Sequence, residues 1–250
     1  MARRQPEGPA PDPVVQRVRL RYAKRGRLRF TSHRDFARAF ERALRRAQIP
    51  MGYSAGFSPH PKISYVGAAP TGVSSEAEYL EIGLAREMDL DQLRAAIDDA
   101  LPDGLDIVEA VLAGPGSLAD RIEASHWQIE LAGVDQGLLE RAIEVFLAQP
   151  TVLVERMTKN GRRELDARAA VVRASGRSAP DGPDDQPRAI LDLVVRQVTP
   201  AVRPDDVLTA LGNVAGLALT APPLAVRLAQ GPLDAAGAIG DPLSEDRDSH

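Results

Sequence analysis

The order in which strand-like and helix-like segments follow one another constrains the fold of this chain more than any other feature. Between residues 16 and 114, apolar residues recur with the period of strands or of helices in the order β-α-β-β-α-β. The same order recurs between residues 125 and 230. Because two helices in this order cover one face of an antiparallel sheet, we predict an α+β protein. It consists of two tandem ferredoxin-like (βαββαβ) half-domains with antiparallel sheets, each with one free face.

The first strand and the first helix are the best-defined segments. Apolar and basic residues alternate over residues 17–22, which is the period of a half-buried strand with its arginines on one face. From His33, apolar residues recur every three or four positions until the chain reaches Pro50, and five arginines lie off that apolar stripe. Thr31 or Ser32 is expected to cap this helix, because a hydroxyl there accepts a hydrogen bond from a first-turn amide.

In the second half, the pair Asn160-Gly161 predicts a tight hairpin between strands at residues 152–157 and 164–172. The remaining predicted elements are helices at 137–147 and 204–211 and strands at 126–131, 189–198 and 217–228, the last of these broken by Pro222-Pro223.

Composition divides the chain into four parts. Four prolines and few apolar residues predict a disordered leader at 1–15, and the polar stretch 231–250 predicts a disordered tail. Between them we expect a first domain at 16–114 and a second at 125–230.

Charge is distributed unevenly between the ends of the chain. Residues 1–66 contain 15 Lys and Arg against 4 Asp and Glu, whereas the remainder contains 16 against 31. A basic segment concentrates anions, and phosphate backbones are the commonest such partner. The alternative is a solvated arginine face bridged to the chain's own acidic surface.

Several classes of protein are excluded by the composition. The chain contains no cysteine, so it has neither disulfides nor the thiolate ligands of an iron–sulfur cluster. No apolar run approaches the length of a membrane span and the N-terminus does not resemble a signal peptide, so we expect a cytoplasmic protein. Walker, dinucleotide-binding and zinc motifs are absent from the sequence, and we predict no metal site.

The candidate site combines basic, aromatic and histidine side chains of the first 62 residues, a mixture typical of proteins that bind single-stranded RNA. For anion or nucleic-acid binding the candidates are Arg19, Arg21, Lys24, Arg27, Arg29, His33, Tyr53, Phe57, His60 and Lys62. His33 and His60 are also the candidate catalytic residues, as general acid or base. We expect His33, His60 and Lys62 to converge on one concave patch.

Three stretches of the first domain resemble a known bacterial family: Arg21–Asp35, Glu41–Ala47 and Tyr53–Ser64. They are similar to the radical SAM-associated (radical SAM-linked) proteins, domains of unknown function fused to, or encoded beside, radical SAM enzymes. The resemblance is dense between residues 17 and 84 and looser beyond residue 124. It implies a partner rather than a reaction: a radical SAM enzyme, which would carry an iron–sulfur cluster and S-adenosylmethionine, while this chain has no cofactor of its own.

Three functions agree with these features. The first is an accessory, non-catalytic subunit that presents RNA, either tRNA or rRNA, to a radical SAM enzyme. The second is an RNA-processing enzyme or transferase that uses His33 or His60, although the Gly-rich loop of ferredoxin-like CRISPR endonucleases is not evident. The third is a protein-docking module without nucleic-acid contact. The sequence leaves open whether the chain is catalytic by itself.

Overall fold

The computed structural model of the protein describes residues 12–158, 161–180 and 186–248. The chain forms two compact units, the first made of Met1–Asp120 and Pro242–His250 and the second of Arg121–Asp241. Both units combine helices with an antiparallel sheet, so the protein belongs to the predicted α+β class. Within the described ranges, no helix is long and apolar enough to cross a membrane.

The first unit contains four strands and two long helices. Along the chain these are β1 (Gln16–Lys24), α1 (His33–Arg46), β2 (Ile63–Val66), β3 (Ser74–Leu84), α2 (Leu90–Ala100) and β4 (Leu105–Leu112). The strands lie in the order β4-β1-β3-β2, and every neighbouring pair is antiparallel. The elements of this unit therefore follow one another in the predicted order.

Alternation along β1 decides which side of the sheet each of its residues faces. Val18, Leu20 and Tyr22 are buried in the core that α1 and α2 cover, and the arginines between them face the opposite side. From α1, Phe36 stacks on Tyr22 with ring centroids 4.3 Å apart, and Phe40 is fully buried beside it. Each such side chain contributes about 1.5–3 kcal/mol by leaving water, so the apolar face of α1 is fixed to the sheet.

Ser32 begins α1 as predicted. Its hydroxyl oxygen accepts a hydrogen bond from the backbone N–H of Asp35 at 3.2 Å, and the hydroxyl donates to the Asp35 carboxylate at 2.6 Å. The Asp35 carboxylate is thus occupied at the cap, where its charge favours the helix N-terminus.

The second unit carries a sheet and a separate hairpin. Its elements are β5 (Ala124–Ala132), α3 (Gln136–Leu147), β6 (Leu153–Thr158), β7 (Gly161–Asp166), α4 (Ala167–Ala170), β8 (Val171–Ser178), β9 (Arg188–Arg196), α5 (Pro204–Ala215) and β10 (Leu224–Gly231). Four strands form an antiparallel sheet in the order β10-β5-β9-β8, whereas β6 and β7 form a two-stranded sheet of their own.

The predicted strand at 164–172 is divided at Asp166. The carboxylate of Asp166 accepts hydrogen bonds from the backbone N–H groups of Val152, Arg168 and Ala169 at 3.0–3.2 Å and caps α4. The chain therefore leaves β7 and enters β8 in the larger sheet. Lys159 and Asn160 of the predicted turn lie outside the described residues.

The last strand of the second unit begins after two consecutive prolines. The predicted strand at 217–228 begins only at Leu224. Pro222 and Pro223 lack the N–H groups that a sheet ladder requires, which explains why pairing starts after them.

Residues 242–248 lie on the first unit, in contrast to the disordered tail predicted for 231–250. One helical turn, α6 (Ser244–Arg247), places Asp246 against β1, where its two carboxylate oxygens accept from Nη1 of Arg19 at 2.9 and 3.0 Å. Arg247 donates from Nη2 to Glu109 of β4 at 3.0 Å. The face opposite the helices, which we predicted to be free, is therefore occupied at Arg19 by the chain's own C-terminus.

Replacing Asp246 with alanine is expected to destabilise the protein by about 3–5 kcal/mol, because it removes a carboxylate from a buried guanidinium. Asp248→Ala, an exposed change in the same segment, is the control and should cost less than about 0.5 kcal/mol. Urea unfolding followed by circular dichroism measures both. Equal losses in the two variants would contradict the structural role of the buried pair.

Acid sensitivity of the second unit is expected to depend in part on Asp166. Burial raises the pKa of this carboxyl, but hydrogen bonds from Val152, Thr151, Ala169 and Arg168 outweigh burial and hold the pKa below its usual value. The folded pKa is then lower than the unfolded value of about 3.9. The carboxylate therefore stabilises the fold above about pH 4, and this contribution is lost as the pH falls through the folded pKa.

Asp166→Ala should accordingly be less stable than the wild type at neutral pH, with a difference that shrinks towards about pH 2. Thermal unfolding at a series of pH values measures this difference. A difference that stays constant over the whole series would refute the assignment.

Candidate functional site

Arg19 was predicted to lie on a basic surface, but its side chain is buried. It is 1% exposed, and its Nε donates to Glu81 at 3.0 Å while Nη1 donates to both oxygens of Asp246. Its Nη2 donates to the carbonyl oxygens of Gly116 at 2.6 Å and Gly114 at 3.3 Å. Each of the three guanidinium nitrogens therefore donates at least one hydrogen bond. Arg19 is therefore an internal ion-pair residue and not a ligand-binding one.

Lys24 and Arg21 are also engaged within the first unit. Lys24 is 4% exposed, and its Nζ donates to the carbonyl oxygen of Pro70 at 3.2 Å, which holds the β2–β3 loop. Arg21 is one-third exposed, with Nε 3.8 Å from a carboxylate oxygen of Glu109. Glu109 is the same residue that α6 contacts through Arg247. The basic row predicted along β1 is thus largely neutralised.

Arg27, Arg29 and His33 remain accessible at the N-terminal end of α1. A 3-10 turn at Gly26–Phe30 presents the two arginines, and the Arg29 guanidinium lies 4.8 Å from the centre of the Phe30 ring. Phe30 is 61% exposed, an unusual degree for phenylalanine. This end of the helix therefore combines cations with an aromatic surface.

His33 packs against the edge of Tyr65 of β2, with ring centroids 4.9 Å apart. The Tyr65 hydroxyl is buried without a hydrogen-bond partner among the described residues. Burial raises the pKa of Tyr65, and the nearby Glu41 carboxylate raises it further. His33 is thus positioned by an aromatic contact on the helix-covered side of the sheet.

The exposed face of α1 carries a row of arginines that the sequence reasoning did not select as a site. Arg34, Arg38 and Arg42 are exposed, and they make no ion pair within 4 Å among the described residues. We call these three residues the α1 basic stripe. Successive members are four residues apart, which corresponds to a rise of about 6 Å along one helix face. Arg45 continues the row, with Glu41 at 4.0 Å.

Tyr53, Phe57 and His60 lie on a loop that we call the finger, residues 53–61. Phe57 is 75% exposed, Tyr53 is 38% exposed, and the His60 side chain is exposed as well. Backbone bonds close the loop: the Ser54 N–H donates to the His60 carbonyl at 2.9 Å, and the His60 N–H donates to the Ser54 hydroxyl at 3.0 Å. These predicted site residues are therefore brought together on one projecting element.

Lys62 lies on the side of the sheet opposite His33. Tyr65 points into the helix-covered core, and strand alternation turns Lys62 and Ser64 to the other face. There Lys62 borders a cleft of about 330 Å³ that Arg17 and Glu81 also line. The expected patch that joins His33, His60 and Lys62 is therefore not formed, because the sheet separates the first residue from the third.

Groups suited to metal binding do not gather in this region. In the part of the chain that the structure describes, no three His, Asp or Glu side chains are arranged to hold a metal ion. Asp35, the carboxylate nearest to His33 in sequence, is occupied by the helix cap. The chemistry available on the first unit is therefore that of exposed arginines, aromatics and two imidazoles.

Solved structures show only weak likeness to this chain. An unknown protein from Galdieria sulphuraria has 14% identity and a TM-score of 0.24, covering 80% of this chain and 91% of that one. The encapsulated DyP-type peroxidase from Mycobacterium smegmatis has 10% identity and a TM-score of 0.22, covering 88% and 92%. DyPB from Rhodococcus jostii RHA1 has 11% identity and a TM-score of 0.21, covering 79% and 83%. Scores this low carry no argument about fold or activity.

No curated protein matches the chain. A protein-family model, in contrast, matches residues 17–204, which include the α1 basic stripe, the finger and most of both units. The match spans well over half of the sequence. The chain therefore belongs to the family of uncharacterized proteins conserved in bacteria that is designated DUF2344.

Proposed function

We propose that the protein is a non-catalytic binding subunit that holds RNA on the α1 basic stripe and the adjoining 3-10 turn. The observation that carries this proposal is the contrast between two sets of arginines in one unit. Those on β1 are ion-paired to the chain's own carboxylates, whereas Arg34, Arg38 and Arg42 are exposed and make no ion pair among the described residues. An arginine row without a carboxylate partner attracts polyanions.

The geometry of the stripe suits a phosphate backbone. The backbone positions of its three arginines span about 12 Å along a helix whose other face is buried, so their side chains leave the helix on the exposed side. Arginine binds phosphate oxygens through paired N–H donors, which strengthens each contact relative to a point charge.

Single-stranded RNA is favoured over a duplex by the aromatic group beside the stripe. Phe30 is exposed just before α1, and the Arg29 guanidinium lies over its ring. Exposed aromatic rings next to cations stack unpaired bases, and stacking contributes about 1–3 kcal/mol per base. A single-stranded nucleic acid is thus the ligand in which both features are used, and we propose RNA.

The strand orders support a finer description of the fold. The order β4-β1-β3-β2 of the first unit and the order β10-β5-β9-β8 of the second agree with a ferredoxin-like sandwich. On this basis we propose two tandem ferredoxin-like units, with an additional hairpin, β6–β7, inserted in the second.

The partner proposed for this subunit is a radical SAM enzyme. The resemblance of the first domain to radical SAM-associated proteins motivates this choice. Because the chain has no cysteine, the iron–sulfur cluster and S-adenosylmethionine would be held by the partner. The RNA bound on α1 would then be the substrate that this subunit presents.

Replacing Arg34, Arg38 and Arg42 together with alanine is expected to weaken binding of single-stranded RNA at least about tenfold at low salt. The slope of log K against log salt should fall by about 2, since each lost contact with single strands accounts for about 0.7. Fluorescence anisotropy with a labelled RNA of about 20 nucleotides, repeated over a salt series, measures both quantities.

A control with the same change in charge is the triple variant Arg86→Ala, Arg177→Ala, Arg196→Ala, whose three arginines are exposed elsewhere on the protein. It should change neither the affinity nor the salt slope by more than a small fraction of the effect of the stripe variant. Equal effects of the two variants, or wild-type binding that does not depend on salt, would refute the proposal.

A further inference from the structure

The side chains of the finger are apolar or neutral-polar, apart from the imidazole of His60. Residues 52–61 contain no Asp, Glu, Lys or Arg, although they lie within the most basic part of the chain. The finger is therefore an uncharged projection, and the polyanion proposed for α1 has little to contact on it.

The base of the finger is held rigidly on the sheet. The Gly52 N–H donates to the Gly83 carbonyl at 2.7 Å, and the Lys62 N–H donates to the Gly52 carbonyl at 2.8 Å. A side chain on Gly52 or Gly83 would clash, because a Cβ there would lie 2.7 or 2.9 Å from a methyl carbon of Val14. Glycine at both positions thus leaves room for the Val14 side chain between the base of the finger and β3.

The tip of the finger presents one large apolar side chain. Gly56 adopts a φ of +135°, a conformation that other residues rarely adopt, and Phe57 follows directly with 75% of its surface exposed. Pro59 and Pro61 further restrict the backbone on the returning side. The ring of Phe57 is held away from the sheet by a loop with few conformations available to it.

We infer that the finger is a docking element that inserts Phe57 into an apolar pocket of a protein partner. A rigid loop with a protruding aromatic residue loses little conformational entropy on binding, so burial of the ring is retained as affinity. Aromatic anchors of this kind dominate protein interfaces when a pocket encloses them. The lack of charge on the finger favours a protein pocket over RNA, since RNA binding draws on cations near the stacking ring.

This inference adds a second surface to the first unit and is independent of RNA binding. The α1 basic stripe would hold the polyanion, and the finger would hold the protein. Exposed Phe30, which lies beside Arg29 and not on the finger, provides a matched control because it is the same residue type with similar exposure.

The first experiment is photo-crosslinking in the native bacterium with the full chain. p-Benzoylphenylalanine replaces either Phe57 or Phe30, and the crosslinked products are treated with nuclease and identified by mass spectrometry. We expect position 57, and not position 30, to give one defined protein product that nuclease does not alter. A nuclease-sensitive product, a crosslink to a second copy of this chain, or no product at position 57 would overturn the inference.

The second experiment uses the identified protein in purified form. Isothermal titration is expected to show that Phe57→Ser weakens its binding at least about tenfold, whereas Phe30→Ser leaves it unchanged. Equal binding by the wild type and Phe57→Ser would overturn the inference even if a crosslink had formed.

The two proposals are distinguishable in the same samples. Phe57→Ser should retain the wild-type affinity for RNA, and the triple alanine variant of the α1 basic stripe should retain the crosslink at position 57. Loss of RNA binding on its own would therefore leave the finger inference standing. A captured protein with an iron–sulfur cluster would in addition support the radical SAM partner.

Discussion

The buried ion pair between Arg19 and Asp246 determines how the first unit presents its surface. It joins residues 227 positions apart and fixes the C-terminal turn on the face of the sheet opposite the helices. Glu81 and two carbonyl groups complete the contacts of the guanidinium, so the charge is satisfied without water or ligand. A buried guanidinium is tolerated only when it is paired in this way. The Arg19 guanidinium is consequently part of the internal structure, whereas the arginines of the α1 basic stripe remain exposed.

The first unit has two exposed surfaces of different chemistry, the α1 basic stripe and the finger. The α1 basic stripe is charged, regular and built on a helix whose apolar face is anchored in the core by Phe36 and Phe40. The finger is uncharged, ends in Phe57 and is anchored by backbone bonds to Gly83. Both surfaces stand on rigid elements, which limits the entropy lost on binding. A protein that presents a polyanion to another protein requires these two kinds of contact.

The sequence predicts the parts of this structure that depend on local periodicity. Alternation along β1 and the apolar stripe of α1 are both visible without coordinates, and the sequence narrows the helix cap to Thr31 or Ser32. Long-range contacts are not visible. The alternation of β1 correctly places Arg19 on the face away from the helices. Its ion-pair partner, Asp246, however, belongs to the segment 231–250, for which the sequence predicts disorder. In the second unit, Asp166 ends a strand through bonds to Val152, which no local pattern reveals.

The same distinction between local sequence patterns and long-range contacts applies to the candidate site. The finger residues and Arg27 are found because glycine, proline and aromatic residues mark an irregular exposed loop and turn. The signal for the α1 basic stripe is also present, since Arg34 and Arg38 lie off the apolar positions of an amphipathic helix. Any solvated helix face shows the same pattern of arginines. Only the folded structure shows which arginines have a carboxylate partner and which do not.

Arginine modification tests the division between internal and accessible arginines most directly. The folded protein is treated with phenylglyoxal, with and without single-stranded RNA, and the extent of reaction at each arginine is read by mass spectrometry. We expect rapid reaction at Arg34, Arg38 and Arg42 in the free protein, protection of these three by RNA, and no reaction at Arg19 in either sample. Reaction of Arg19 at the rate of the helix arginines, or equal modification of the helix arginines with and without RNA, would contradict this division.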